Sequence, residues 1–194
     1  MPHLSRDDLM PLEVYSEQRA ALRAKVIAHK RARRVALGEH ASLYFEDELT
    51  MRYQIQEMLH VERIFEAAGI QQELDTYNPL IPDGGNWKAT FMIEYPDKVE
   101  RQAALTRLVG VEHAVWVRVG QHPQVYAVAD EDLPRSTDDR TSAVHFMRFE
   151  LTPAMIADAK AGSPIALGCR HDNLSVAVDP VDEATRRSLL RDLR

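Results

Sequence analysis

WKATFMIEY, residues 87–95, alternates side chains with period two, and SAVHFMRFEL, residues 142–151, does so again. Such alternation marks a strand with one face turned to a core. In the first segment Trp87, Phe91, Ile93 and Tyr95 share a face, and Lys88, Thr90, Met92 and Glu94 share the other. In the second, His145 falls on the face of Ala143, Met147, Phe149 and Leu151, which predicts that it is buried. HAVWVRV (113–119), QVYAVAD (124–130) and LSVAV (174–178) also read as strands, with GQHP at 120–123 as a hairpin connection. Residues 97–109 and 152–161 read as helices between them, the second opened by Thr152 as a cap before Pro153.

The first half has helical spacing instead. Ser5 caps a short helix, and Pro11 opens a long one through EVYSEQRAALRAKVIAHKRARR, residues 13–34. RVAL (34–37) and SLYF (42–45) form a small hairpin around Gly38-Glu39-His40. EDELTMRYQIQEMLHVERIFEAA, residues 46–68, reads as one helix; residues 70–77 add a turn or two, and NPLIPDGGN (78–86) is a loop. DEATRRSLLRDL, residues 182–193, is a final amphipathic helix. Helices early and strands late predict an α+β fold: a single, mostly antiparallel sheet packed against the N-terminal helices. Residues 1–194 are expected to form one domain, helical over 1–77 and sheet-rich over 87–194.

Composition narrows the classes of function. The chain has 194 residues, is 45% hydrophobic and carries a net charge of −6. Met1–Arg6 lack the pattern of a signal peptide, and no apolar run approaches the roughly 20 residues of a membrane span, so a cytoplasmic protein with no membrane association is expected. The single cysteine, Cys169, excludes an internal disulfide and a cysteine-based zinc cluster. Nucleic acid is an improbable partner for an acidic chain without interleaved aromatic and basic residues. One stretch is nevertheless basic: Arg19, Arg23, Lys25, Lys30, Arg31, Arg33 and Arg34 stand without an acidic residue between them. Of these, Arg23, Lys30, Arg31, Arg33 and Arg34 are candidates for docking an acidic redox protein.

Chemistry is suggested by a misplaced carboxylate. On a helix over 46–68, Arg52, Gln56, Leu59, Arg63 and Glu66 fall on one side and Met58, Val61, Ile64, Phe65 and Ala68 on the other. Glu57 falls on the apolar side, between Tyr53 at i−4 and His60 at i+3. A buried carboxylate needs a hydrogen-bond donor, an ion partner or a metal. His60, Glu94, His145 and His171 are the other candidate ligands. Each also has an ordinary reading: a solvated Glu94, a core histidine at 145, a turn histidine in Arg170-His171-Asp172-Asn173. Mixed carboxylate and imidazole ligands suit non-haem iron, manganese or catalytic zinc. Glu57-x-x-His60 has the spacing used in di-iron bundles, but no second such pair is present, so a mononuclear site is the simpler expectation. No phosphate loop, nucleophile elbow or H-E-x-x-H helix is present.

At LYFEDELTMRYQIQEMLHVERIF (43–65), ELDTYNPLIPDGGNWKATFMIE (73–94) and SAVHFMRFEL (142–151), the chain resembles an uncharacterised bacterial family of cytoplasmic proteins of similar length, a domain of unknown function. The resemblance covers most of the chain. It implies genes often encoded beside rubrerythrin-like and iron–sulphur oxidoreductase genes, and so a place in non-haem iron or peroxide metabolism. Where the family pattern has arginine this chain has His60, which leaves Glu57, Glu94 and His145 as the stronger ligand set.

Two readings follow. In the first, the protein binds iron, manganese or zinc through Glu57, Glu94 and His145 on one cavity, and acts as a non-haem iron redox enzyme or accessory in oxidative-stress or electron-transfer metabolism. In the second it is a non-catalytic adaptor or binding module for a redox partner protein, docked by the basic helix, and in place of a metal Glu57 pairs internally with an arginine such as Arg52, Arg118 or Arg148.

Overall fold

In the computed structural model, which describes residues 3–194, the chain folds as α+β. Met1 and Pro2, the start of the Met1–Arg6 segment, lie outside those residues. A 3-10 turn at Arg6–Asp8, boxed by Ser5 and Asp8, precedes α1 (Leu12–Arg31). A hairpin of β1 (Arg34–Ala36) and β2 (Ala41–Phe45) follows. Asp47 then caps α2 (Glu48–Val61), its side chain accepting from the Thr50 backbone N–H. After α3 (Ala67–Tyr77) come β3 (Asn86–Ile93), α4 (Lys98–Arg107), β4 (Val115–Val119), β5 (Val125–Tyr126), β6 (Val128–Ala129) and β7 (Val144–Glu150). The chain closes with α5 (Pro153–Ala161), β8 (Ile165–His171), β9 (Leu174–Val178) and α6 (Glu183–Leu190). Thr152 and Asp182 cap the last two helices through their side chains.

The strands form two antiparallel sheets rather than the expected one, ordered β1-β2-β3-β7-β6 and β5-β4-β8-β9. The difference arises within QVYAVAD. Val125–Tyr126 pairs with β4, whereas Val128–Ala129 pairs with β7, so one alternating run passes from one sheet to the other. Both sheets contribute to one core, with Phe45, Trp87, Phe91 and Phe149 from the first and Val117 and Leu167 from the second. A second apolar cluster of Leu4, Met51, Ile55, Leu59, Ile70 and Leu74 joins α2 and α3 to the N-terminal turn. Among the described residues no helix is long and apolar enough to cross a membrane.

The helix expected over 46–68 is two helices. Arg63 takes a left-handed conformation at φ 55°, and the Ile64 N–H turns back to the Leu59 carbonyl. A left-handed residue is a common way to end a helix, usually at glycine. The break also changes which face is buried. Thr50, Met51, Ile55, Gln56 and Leu59 are buried, while Val61 and Phe65 are 59% and 67% exposed. The expected apolar side drew on residues beyond the real helix end, so the assignment of Glu57 to a core face is corrected.

Candidate functional site

Period-two alternation in β2, β3 and β7 gives their sheet two unlike faces. One carries Phe45, Phe91 and Phe149 into the shared core. The other presents Tyr44, Thr90, Met92 and Phe146, and across from these stand Met51 and Gln54 of α2. Between sheet and helix lies a cavity of about 440 Å³, lined also by Tyr77 and Leu80. Such a volume is within the range of small-molecule sites, and most of its lining comes from strands and helices, with Glu46 and Glu94 standing just past strand ends.

Glu46 is the distinctive group in this cavity. It stands between the end of β2 and the cap of α2, and its backbone is pinned on both sides. Its N–H donates to the Lys88 carbonyl at 2.8 Å, and its carbonyl accepts from Arg33 Nη2 at 3.0 Å. The residue is 5% exposed. Thr90 Oγ1 donates to Oε1 at 2.8 Å, but no described residue donates to the buried Oε2. Glu94 lies at the rim, accepting from the Tyr44 hydroxyl at 3.1 Å and facing Arg34 at 3.5 Å. Burial, with the Glu94 carboxylate alongside, raises the Tyr44 phenol above its ordinary pKa. Lys30 also reaches the lining, from the last turn of α1.

A neighbouring cavity of about 440 Å³ shares Tyr77, Leu80 and Phe146 with the first. Its cations already have partners. Arg148 holds Glu131 through two bonds of 2.8 Å and Glu150 through one of 2.6 Å. Lys88 donates to the Pro79 carbonyl, and burial lowers its pKa.

The five predicted ligands do not meet. Glu57 is held by Arg19, whose Nε and Nη2 each donate to one carboxylate oxygen at 2.8 Å, and by the hydroxyl of Tyr15. Its side chain is 19% exposed. The Arg19 hydrogen bonds lower its pKa from 4.5 to about 2 despite the opposing effect of burial. His60 packs its ring edge-on to Tyr15 at 5.8 Å between centroids. His145 is buried, as expected, but β3 and β7 are paired so that it lies opposite Phe91, on the other face of the sheet from Glu94. One ion could touch both only by passing through the sheet. The Nδ1 of His145 donates to Asp130 at 2.6 Å, and Nε2 lies 2.8 Å from Thr141 Oγ1. Thr141 and Ser136 in turn satisfy Glu112. Asp130, at φ 54°, also accepts from the Phe146 N–H and Arg135. His171 Nε2 donates to the Val109 carbonyl, and Nδ1 accepts from the Asn173 N–H, so it ties a turn. Among the described residues, no three His, Cys, Asp or Glu side chains are grouped to hold an ion. The expected convergence of Glu57, Glu94 and His145 is therefore corrected.

The basic set divides too. Arg33 is 1% exposed and bonds the carbonyls of Phe45, Glu46 and Ser188 and the carboxylate of Asp192. It ties the hairpin to α6 and is not free to dock a partner. Arg34 is engaged with Ser42 and Glu94, and Lys30 lines the cavity. Arg23 and Arg31 remain exposed.

Sequence reasoning passed over Glu46, Thr90 and Gln54. The available signal was a glutamate directly after the apolar strand SLYF, with Thr90 on the less greasy face of β3.

The sequence profile of a family described as a protein of unknown function, DUF3501, matches residues 3–193. The chain belongs to that family. A search of curated proteins gave no match. The DUF3501 architecture seen here is similar to the crystal structure of a novel protein of unknown function from Burkholderia pseudomallei K96243. The two chains share 52% identity over 100% of each, with a TM-score of 0.95.

Proposed function

We propose that this protein is a non-catalytic binding module whose ligand is a small molecule seated between α2 and the outer face of β2, β3 and β7. The observation that carries this reading is the cavity of about 440 Å³ on that face, where apolar walls surround a few convergent polar groups. The carboxylate that suggested a metal, Glu57, has an arginine as its partner, which favours an internal ion pair over an ion site there. That arginine is Arg19, on α1, not Arg52, Arg118 or Arg148. An arginine from a separate helix is outside the reach of spacing arguments made within 46–68.

Ligand-observed NMR with a set of small aromatic and aliphatic fragments tests the reading. Binders are expected whose signals are lost in Met51→Trp, which adds bulk to the cavity from the α2 side at a residue of the second apolar cluster, with circular dichroism confirming that the variant is folded. If no fragment binds the wild-type protein, or if Met51→Trp leaves every binder unaffected, the reading falls.

A further inference from the structure

Resting on that reading, we propose that the cavity selects a primary organic ammonium with an apolar or aromatic body, and that the Oε2 oxygen of Glu46 is its counter-ion.

The argument begins with what Glu46 lacks. A carboxylate is an acceptor only, and one buried without its full set of donors is costly. Thr90 supplies one neutral donor to Oε1, and Oε2 has none among the described residues. The nearby guanidinium of Arg33 is spent on the backbone carbonyl of Glu46 and on Asp192. Lys30 lines the same cavity, yet no ion pair joins it to Glu46 within 4.0 Å. The fold thus buries a carboxyl group beside this cavity with one oxygen unmatched among the described residues.

The surroundings narrow the cation. Metal ions take four or more oxygen, nitrogen or sulfur donors. Among the described residues only Glu46 and Glu94 bring carboxylates to this cavity, and Glu94 is already committed to Tyr44 and Arg34. A guanidinium prefers both oxygens of a carboxylate in a parallel fork. Here Oε1 already accepts from Thr90, so one oxygen remains. An –NH3+ group is a compact charge with three donors. Glu46, Thr90 and Gln54 line the same space, and each carries a side-chain oxygen able to accept from such a group. The rest of the lining suits the remainder of such a molecule. Tyr44, Tyr77 and Phe146 offer aromatic faces to a cation or a ring, and Met51 and Met92 offer adaptable apolar surface.

Isothermal titration with 2-phenylethylamine, its neutral counterpart 2-phenylethanol and Mn2+ tests the inference. The wild-type protein is expected to bind the amine at least about tenfold more tightly than the alcohol, the factor that 1.4 kcal/mol represents. Glu46→Gln should remove that preference by weakening the amine more than the alcohol, with circular dichroism confirming the fold. Glu46→Asp, which keeps the charge, should retain part of it. If amine and alcohol bind equally, or Glu46→Gln leaves the amine preference intact, the cavity reading survives and the ammonium inference is overturned. Stoichiometric Mn2+ binding lost in Glu46→Gln, with no amine binding, also overturns it. If neither organic probe binds, both the inference and the reading on which it rests fail.

Discussion

Arg19 and Glu57 meet through two parallel hydrogen bonds of 2.8 Å, joining α1 to α2 across residues 38 apart in sequence. Two-point pairing of guanidinium and carboxylate fixes the orientation of both groups as well as their separation. Tyr15, one turn before Arg19 on α1, completes the grip on Oε1, and Glu57 raises the pKa of its hydroxyl in addition to the effect of burial. The carboxylate that looked misplaced is thus the point at which the long N-terminal helix is registered on the second.

That pairing has a pH signature. Glu57 has a folded-state pKa lowered to about 2 from 4.5, so the native state holds fewer protons than the unfolded state between those values. Its stabilisation is fully present above about pH 4.5 and is lost as the pH falls towards 2. Glu57→Gln is expected to be less stable than wild type at pH 7, with the gap closing across that window. Urea denaturation of both proteins from pH 2 to 7 measures it. A gap independent of pH shows that the charge of Glu57 does not contribute.

Arg33 and Arg31 are two positions apart in a basic run, yet their expected fates differ. Arg33 is buried and supplies donors to three carbonyls and Asp192. Arg33→Met strips these and leaves a buried carboxylate without its cation, a loss of about 3–5 kcal/mol. Arg31→Glu, at an exposed site, should fall within about 0.5 kcal/mol of wild type. Equal effects in chemical denaturation would contradict the division of this segment into a buried tie and an exposed charge.

Local pattern revealed much of this, and its failures share a cause. Strand alternation correctly separated Glu94 from the core face and placed His145 within it, and Thr152 and Pro153 mark a helix start that side-chain geometry bears out. What local pattern does not carry is the pairing of distant segments. The opposition of Phe91 to His145, which puts Glu94 and His145 on different faces, depends on β3 pairing with a strand more than fifty residues later. The division of QVYAVAD between two sheets is likewise a tertiary choice. The helix break at Arg63 has no glycine or proline to announce it, so the apolar face was drawn through residues that lie beyond the end of α2. A glutamate beside a helix cap looks like an ordinary first-turn acid; only the sheet register brings Thr90 to Glu46 and, among the described residues, no donor to its other oxygen.

His145 and Thr141 belong to a buried chain running from Asp130 to Glu112. Removing the hydroxyl in Thr141→Val takes a donor from a Glu112 oxygen and leaves the imidazole Nε2 with the Ser142 carbonyl, 3.1 Å away, as its remaining partner among the described residues, at an expected cost of about 1–3 kcal/mol. His145→Ala should cost at least as much. The double variant should lose less than the two single losses combined, because both strip the same chain. Strict additivity in thermal or urea unfolding would mean that the two groups are energetically independent despite their 2.8 Å separation.

The last expectation concerns what Glu46 costs the protein on its own. With no amine present, its unmatched Oε2 is a burden on the fold, so Glu46→Met, close in length and apolar, should raise stability by about 1–3 kcal/mol while abolishing the amine preference. Thr90→Val should do the reverse in the wild-type background, costing about 1–3 kcal/mol because it removes the carboxylate's one side-chain donor. In the Glu46→Met background the same threonine substitution has no carboxylate to strand, and its effect should shrink to within about 0.5 kcal/mol. The four proteins form a cycle readable by urea denaturation. A Glu46→Met variant less stable than wild type would mean that the carboxylate is matched inside the fold, and the case for an external cation would lose its physical basis.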